Sequence, residues 1–397
     1  MLKKMLKNYD YVLISLPILL GLFGALMVFS ASMVVAVSNE FAVEPAYFFK
    51  KQLMWLAIGV VVFIVTALLP YRIYLSMYKW LVLACVGALL AVLIIGTVSG
   101  GAQSWISIGG FTIQPAEFAK LAIILYLAGV FSKKQRYISQ FSTAVVPPLV
   151  FIILIFGLIY LQPDLGTGMI VIMISATVIF CAGLRWKHLL GLIGLGSVAV
   201  TLMLIFLTTS NQANRFAAAY QPFDSPGDSG FQLIQSYLAM GTGGLTGVGL
   251  GQSIQKGFLP EPHTDFILAI IAEELGIFGV GFVIISLAVI VIKGLQAAIR
   301  CEDTFGSLLA VGISGMIGIQ TFVNIGAMSG LLPVTGVTLP FISYGGSSLV
   351  LLMASAGILC NISMFVRYRR LKENEADPLA DHSASNKVSI SSAHRFS

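Results

Sequence analysis

The chain has 397 residues, of which 57% are hydrophobic and only 10% are Asp, Glu, Lys or Arg, with a formal net charge of +6. Soluble domains carry about 25% charged residues, so this composition excludes a globule covered by water. A basic excess can indicate nucleic acid, but the placement of the charges along the chain argues against it.

A helix crosses the hydrocarbon core with about 20 apolar residues. Ten runs qualify, at 11–35, 52–69, 77–98, 116–131, 145–160, 165–182, 188–208, 266–292, 305–328 and 341–366. The basic start, Met1 to Lys7, followed by an apolar run resembles a secretory leader; because further spans follow, it is read as the first of them. The runs are apolar all round, without the alternation of barrel strands, and a lone strand would leave its backbone unpaired in lipid. They predict an all-α polytopic membrane protein with ten transmembrane helices. With the N-terminus inside, the 23 Lys and Arg fall on the inner side except for Lys50, Lys51, Arg215, Lys256 and the intraspan Lys120. That asymmetry places both termini in the cytoplasm. The basic excess then records topology and contact with anionic lipid. Residues 1–370 form the transmembrane domain, and the polar tail 371–397 reads as disordered. The four cysteines, Cys85, Cys181, Cys301 and Cys360, lack metal-type pairing and read as packing residues.

One outer connection, 209–264, is far longer than the others, and long loops are often functional. Within it FQLIQSYLAM, 231–240, predicts a short amphipathic helix suited to the membrane surface. The following GTGGLTGVGLG, 241–251, lacks the preceding strand and spacing of a dinucleotide site. Its glycines allow tight turns or close approach to a ligand.

Charged groups in spans are costly and usually face a cavity or a partner. Glu117 and Lys120 are three apart on one helix, placed to form either a structural ion pair or part of a site. Asp164, in QPDLG, stands at an outer turn and fits either a helix cap or a site. Asp265, in LPEPHTDF, opens the eighth span and fits the same two readings; on spacing alone the cap wins. Glu273 lies about two turns deeper, on a face nearer to Asp265 than that of Glu274. His263 has a side chain able to titrate near neutrality, although a lone His is more often a structural hydrogen-bonder. Glu117, Lys120, Asp164, Arg215 and Asp265 all map to the outer half, which suggests an outward polar cavity.

The stretches GGFTIQPAEFAKLA (109–122), QPDLGTG (162–168), GFQLIQSYLAMGTGGLTGVGLG (230–251), LPEPHTDFILAIIAEELG (259–276) and GLLPVTGVTLPFISYGGSSL (330–349) resemble the SEDS proteins of shape, elongation, division and sporulation. The resemblance runs from the first span to the last. GVGLGQSIQKGFLPEPHTDF and TLPFISYGGSSL are more similar to the division branch than to the elongation branch, with a sporulation paralogue as the alternative.

The resemblance implies a bacterial peptidoglycan glycosyltransferase that polymerises lipid II into β-1,4-linked glycan at the outer face of the cytoplasmic membrane, at the septum for the division branch. It assigns the general base to Asp265 and a basic place in the cavity to Lys120, oriented by Glu117, with Arg215 as second cation. Trp105, Asp164, His263 and Glu273 complete the candidate substrate site. Many members carry a basic residue before the tryptophan, whereas this chain has Ser104; Lys51 or Arg215 is the substitute. Mg²⁺ or Mn²⁺ is an optional aid at the pyrophosphate, without a dedicated metal cage in the sequence. The implied partners are lipid II, a class B penicillin-binding transpeptidase and other division membrane proteins. A lipid II flippase and a non-catalytic scaffold are the competing readings.

Overall fold

A computed structural model describes residues 8–37, 43–99, 102–109, 111–138, 140–192, 194, 196, 215, 217–224 and 228–376. Its principal helices are α1 (Tyr11–Val37), α2 (Tyr47–Leu68), α3 (Arg72–Ile95), α4 (Pro115–Lys134), α5 (Val146–Tyr160), α6 (Leu165–Cys181), α7 (Asp228–Gly243), α8 (Ile267–Arg300), α9 (Thr304–Met328) and α10 (Gly346–Ala376). Among the described residues eight helices are long and apolar enough to cross a membrane, and α6 is a shorter apolar helix. The expected span 188–208 and the loop segment 209–214 lie largely outside the described residues.

The all-α expectation needs one addition. The outer loop between α3 and α4 forms a small antiparallel sheet in the order β1 (Thr97–Ser99), β2 (Ala102–Ile108), β3 (Phe111–Ile113). The segment is too short and too rich in glycine to register beside long apolar runs. At the other end α10 continues through Ala376, so residues 371–376, expected in the disordered tail, are helical; 377–397 lie outside the described residues.

Two classes of helix follow from burial. α4, α9 and α10 are mostly buried, whereas α2 and α3 turn most of their surface outward. The outward residues include Val61, Ile64, Val65, Leu83 and Ile94, as lipid contact requires. α10 packs along α2, and at Gly357 a side chain would strike the Phe63 carbonyl and Thr66 hydroxyl of α2. Small residues of this kind allow helix backbones to approach in lipid.

α8 departs from the sequence expectation. Gly276 is non-helical (φ 63°, ψ −158°), so the helix is broken. Above the break Ile267–Glu274 are all buried; below it Ile277, Phe278, Ile285, Ile292 and Ile299 are exposed. The lower piece, 277–300, is about 36 Å long and spans the core unaided. A straight helix from Ile267 to Arg300 would be about 50 Å, whereas α9 rises only about 30 Å from Thr304 to Asn324. Yet the Asn324 amide donates to the Asp265 carbonyl at 2.8 Å. The upper piece therefore leans across the outer end of the bundle, and the break is where it turns.

The glycine-rich stretch completes this break. Val248 N–H donates to the Glu273 carbonyl at 2.9 Å and Gly249 N–H to that of Glu274 at 3.0 Å, while Ile277 N–H donates to the Gly244 carbonyl at 3.2 Å. A side chain at Gly243 would meet the Ala272 carbonyl, and one at Gly247 would meet that of Glu274. The glycines serve close approach, but to the backbone of α8 rather than to a ligand. The amphipathic segment expected at 231–240 is present within the longer α7, which lies along α8.

Candidate active site

Two polar clusters occupy the outer end of the bundle. The first starts at the β3–α4 junction, where Pro115 sits in the first turn of α4 with no N–H to leave unpaired. Glu117 occupies that first turn and Lys120 follows on the same face; they pair at 2.7 Å with side-chain exposures of 8% and 1%. A pair so dry is strongly destabilised by loss of either partner. Beside it Asp164 caps α6, accepting the Thr167 N–H at 3.1 Å and the Gln114 side-chain amide at 2.8 Å. Burial holds its carboxyl above the ordinary value against the Thr167 hydrogen bonds; Glu117 pushes the same way and Lys120 opposes. Asp164 is thus both a cap and a member of the cluster.

The second cluster surrounds Asp265. The residue precedes α8 in a turn; Phe266 takes the cap position, and no side chain caps the helix. The cap reading of Asp265 fails for that reason. Its carboxylate instead accepts the Thr264 hydroxyl at 3.0 Å. Burial pushes the pKa up to about 6; the Thr264 bond lowers it, nearby Glu261 raises it, and Arg215 draws it down. Arg215 is exposed. The Asn324 amide fixes the turn by donating to the carbonyls of both Asp265 and Val337, each at 2.8 Å. The strip 335–338 links the clusters, since Gly166 of the Asp164 motif packs against the Thr335 carbonyl. Buried polar atoms of Glu117 (Oε2), Asn324 (Oδ1) and Thr335 (Oγ1), and the amide of Gln320 one turn from Asn324, have no protein partner among the described residues. Such groups call for water or a polar ligand.

Two sequence expectations change. Glu273 does not share the environment of Asp265: its carboxylate accepts the Ser253 hydroxyl and the Ile254 N–H at 2.9 Å, pinning the outer loop. The helical-wheel estimate fails because Asp265 stands outside the helix. Adjacent Glu274 accepts the Ser30 hydroxyl at 2.6 Å and pairs with Lys256 at 3.5 Å. His263 packs against Phe48 and Tyr344, with ring centroids at 4.5 and 5.3 Å, and is 3% exposed. Burial depresses its pKa to about 4, so it is neutral near pH 7 rather than titrating there. Trp105 sits half-buried on β2, where its carbonyl accepts the Thr97 hydroxyl at 3.2 Å. Its strand joins the first cluster through β3; Ser104 beside it is buried.

Gln114, Thr264 and Asn324 escaped the sequence reading. Asn324 had a signal, because Gln320 and Asn324 place two amides four apart in an otherwise apolar span. Gln114 and Thr264 carried none. Among the described residues no three His, Cys, Asp or Glu side chains gather as metal ligands.

The family model for cell cycle proteins that covers FtsW, RodA and SpoVE matches residues 10–368. The chain is 53% identical over 390 residues to the probable peptidoglycan glycosyltransferase FtsW of Bacillus subtilis, covering 96% of each chain. It is 43% identical to stage V sporulation protein E of the same organism, over 90% of this chain and 98% of the relative. Among solved structures it resembles a chain from a peptidoglycan synthase complex that coordinates polymerization and crosslinking, with TM-score 0.73, 27% identity and coverage of 90% and 98%. The rod shape determining protein RodA of Thermus thermophilus is also similar, with TM-score 0.64, 27% identity and coverage of 89% and 96%.

Proposed function

The chain belongs to the FtsW/RodA/SpoVE family of cell cycle proteins, and from that membership we propose that the Asp265 cluster is where it polymerises lipid II. The protein is a multi-pass membrane peptidoglycan glycosyltransferase. The observation that carries the reading of the site is one carboxylate, pushed up to about 6 by burial, at an outer turn held by Asn324.

A sugar hydroxyl is a poor nucleophile. Asp265 takes the proton of the acceptor 4-hydroxyl as the oxygen attacks the anomeric carbon of the lipid-linked donor. The new C–O bond forms as the bond to the undecaprenyl pyrophosphate breaks, the anomeric centre inverts, and the proton stays on the carboxyl. A pKa near 6 suits this task, since the group is a stronger base than an ordinary carboxylate yet remains mostly ionised at pH 7. The departing pyrophosphate needs positive charge. Arg215 is the better donor of it, being exposed and close enough to bias Asp265. Lys120 is neutralised by Glu117, so this pair orients the Gln114–Asp164 side of the site.

The higher identity to FtsW than to the sporulation protein supports a role at the division septum. Similarity to a chain from a synthase complex that couples polymerization to crosslinking supports a transpeptidase partner. Incubating purified protein and partner with lipid II, and separately measuring lipid II movement across protein-loaded vesicles, tests this reading. Glycan polymer is the expected product. Transbilayer movement without polymer overturns the polymerase in favour of a flippase.

A further inference from the structure

At the inner end of the bundle, far from Asp265, the structure holds a second charged assembly. Tyr9 and Asp10 precede α1. Asp10 accepts Lys293 of α8 at 3.2 Å and Arg367 of α10 at 3.0 Å, so one buried carboxylate is shared by two cations. Arg367 also donates to the Tyr9 carbonyl at 3.3 Å. Beside this knot is a cavity of about 260 Å³ lined by Asn8, Arg300, Val366, Arg367, Arg370 and Leu371.

The helical continuation of α10 builds this cavity. Arg367 and Arg370 are three apart and share a face, whereas Arg369 turns away to pair with Glu302. Arg300, the last residue of α8, also lines it. Arg300 and Arg370 are exposed and have no hydrogen-bond or ion-pair partner among the described residues. Lys293, Arg367, Arg300 and Arg370 outnumber Asp10, and the nearby Glu302 is taken up by Arg369, which leaves a local excess of positive charge at a surface that the charge asymmetry assigns to the cytoplasmic side.

We propose that this cavity binds the phosphodiester headgroup of an anionic inner-leaflet phospholipid. Guanidinium forks match phosphate oxygens in geometry and charge. Basic pockets between helices on this side are suited to such headgroups. Val366 and Leu371 supply an apolar wall, which a glycerol backbone uses and a free phosphate does not.

Native mass spectrometry of the full detergent-purified chain, titrated with phosphatidylglycerol or phosphatidylcholine, tests the proposal. Wild type is expected to retain phosphatidylglycerol and not phosphatidylcholine. Arg300→Ala and Arg370→Ala are each expected to weaken retention about fivefold, and together about thirtyfold, at roughly 1 kcal/mol per basic residue. Both leave the Asp10 knot intact. Arg300→Lys with Arg370→Lys, which keeps the charge, is expected to lose less and serves if the alanine pair fails to fold. Equal retention of both lipids by wild type, or of phosphatidylglycerol by wild type and the alanine pair, overturns the proposal. Displacement of phosphatidylglycerol by millimolar inorganic phosphate overturns the lipid source and leaves a free-phosphate site.

Discussion

The Asp265 carboxyl is held at about 6 chiefly by burial, and its protonation state sets when it can act. A general base works when ionised, so glycan synthesis at limiting lipid II, which follows the free protein, is expected to rise with pH through about 6 and then level off. A rate independent of pH between 5 and 7 contradicts that role. The same shift bears on stability. The folded pKa exceeds the ordinary carboxyl value of 3.8, so the folded state holds the proton more tightly and loses stability as pH rises from about 4 through 6. Above that window the ionised carboxylate costs the fold on the order of 1–3 kcal/mol. The presence of Asp265 was legible in the sequence; its release from helix capping was not, because that depends on one backbone turn held by Asn324 from α9.

At the scale of elements, the break in α8 places Asp265 over the bundle. AEELGIFG reads as continuous helix, since a single glycine inside an apolar run is no strong breaker. What ends the helix is tertiary: the freed carbonyls of Glu273 and Glu274 take N–H groups from Val248 and Gly249, and both side chains grip residues 253–256. Gly276 has a positive φ, and a side chain there would meet the Leu245 carbonyl. Gly276→Ala is therefore expected to lower stability by about 1–3 kcal/mol, read as a lower thermal midpoint, and to speed proteolysis within 245–258. An unchanged midpoint and cleavage pattern contradicts the splice. Eight of the ten expected spans were legible because hydrocarbon thickness imposes length and apolarity, whereas β1–β3 and the break depend on contacts that periodicity does not encode.

Across the whole molecule, the helical multi-pass architecture was the most readable property. On the expected placement of Lys and Arg, the Asp265 site and the arginine cavity fall at opposite ends of the bundle. Assembly of the outer site was less readable. Its two clusters come from α4 and α6 on one side and the turn before α8 on the other, joined by the strip 335–338. Residues so distant in sequence meet only after the helices pack. The most direct test is lipid II polymerisation by Asp265→Asn beside wild type, with the transpeptidase partner present and thermal unfolding measured on both. Asn keeps the shape and cannot take the proton. The expected variant polymerises about 10²–10⁴-fold more slowly and unfolds at a higher temperature, because the buried charge is gone. A variant that polymerises like wild type contradicts the assignment of Asp265 as the base.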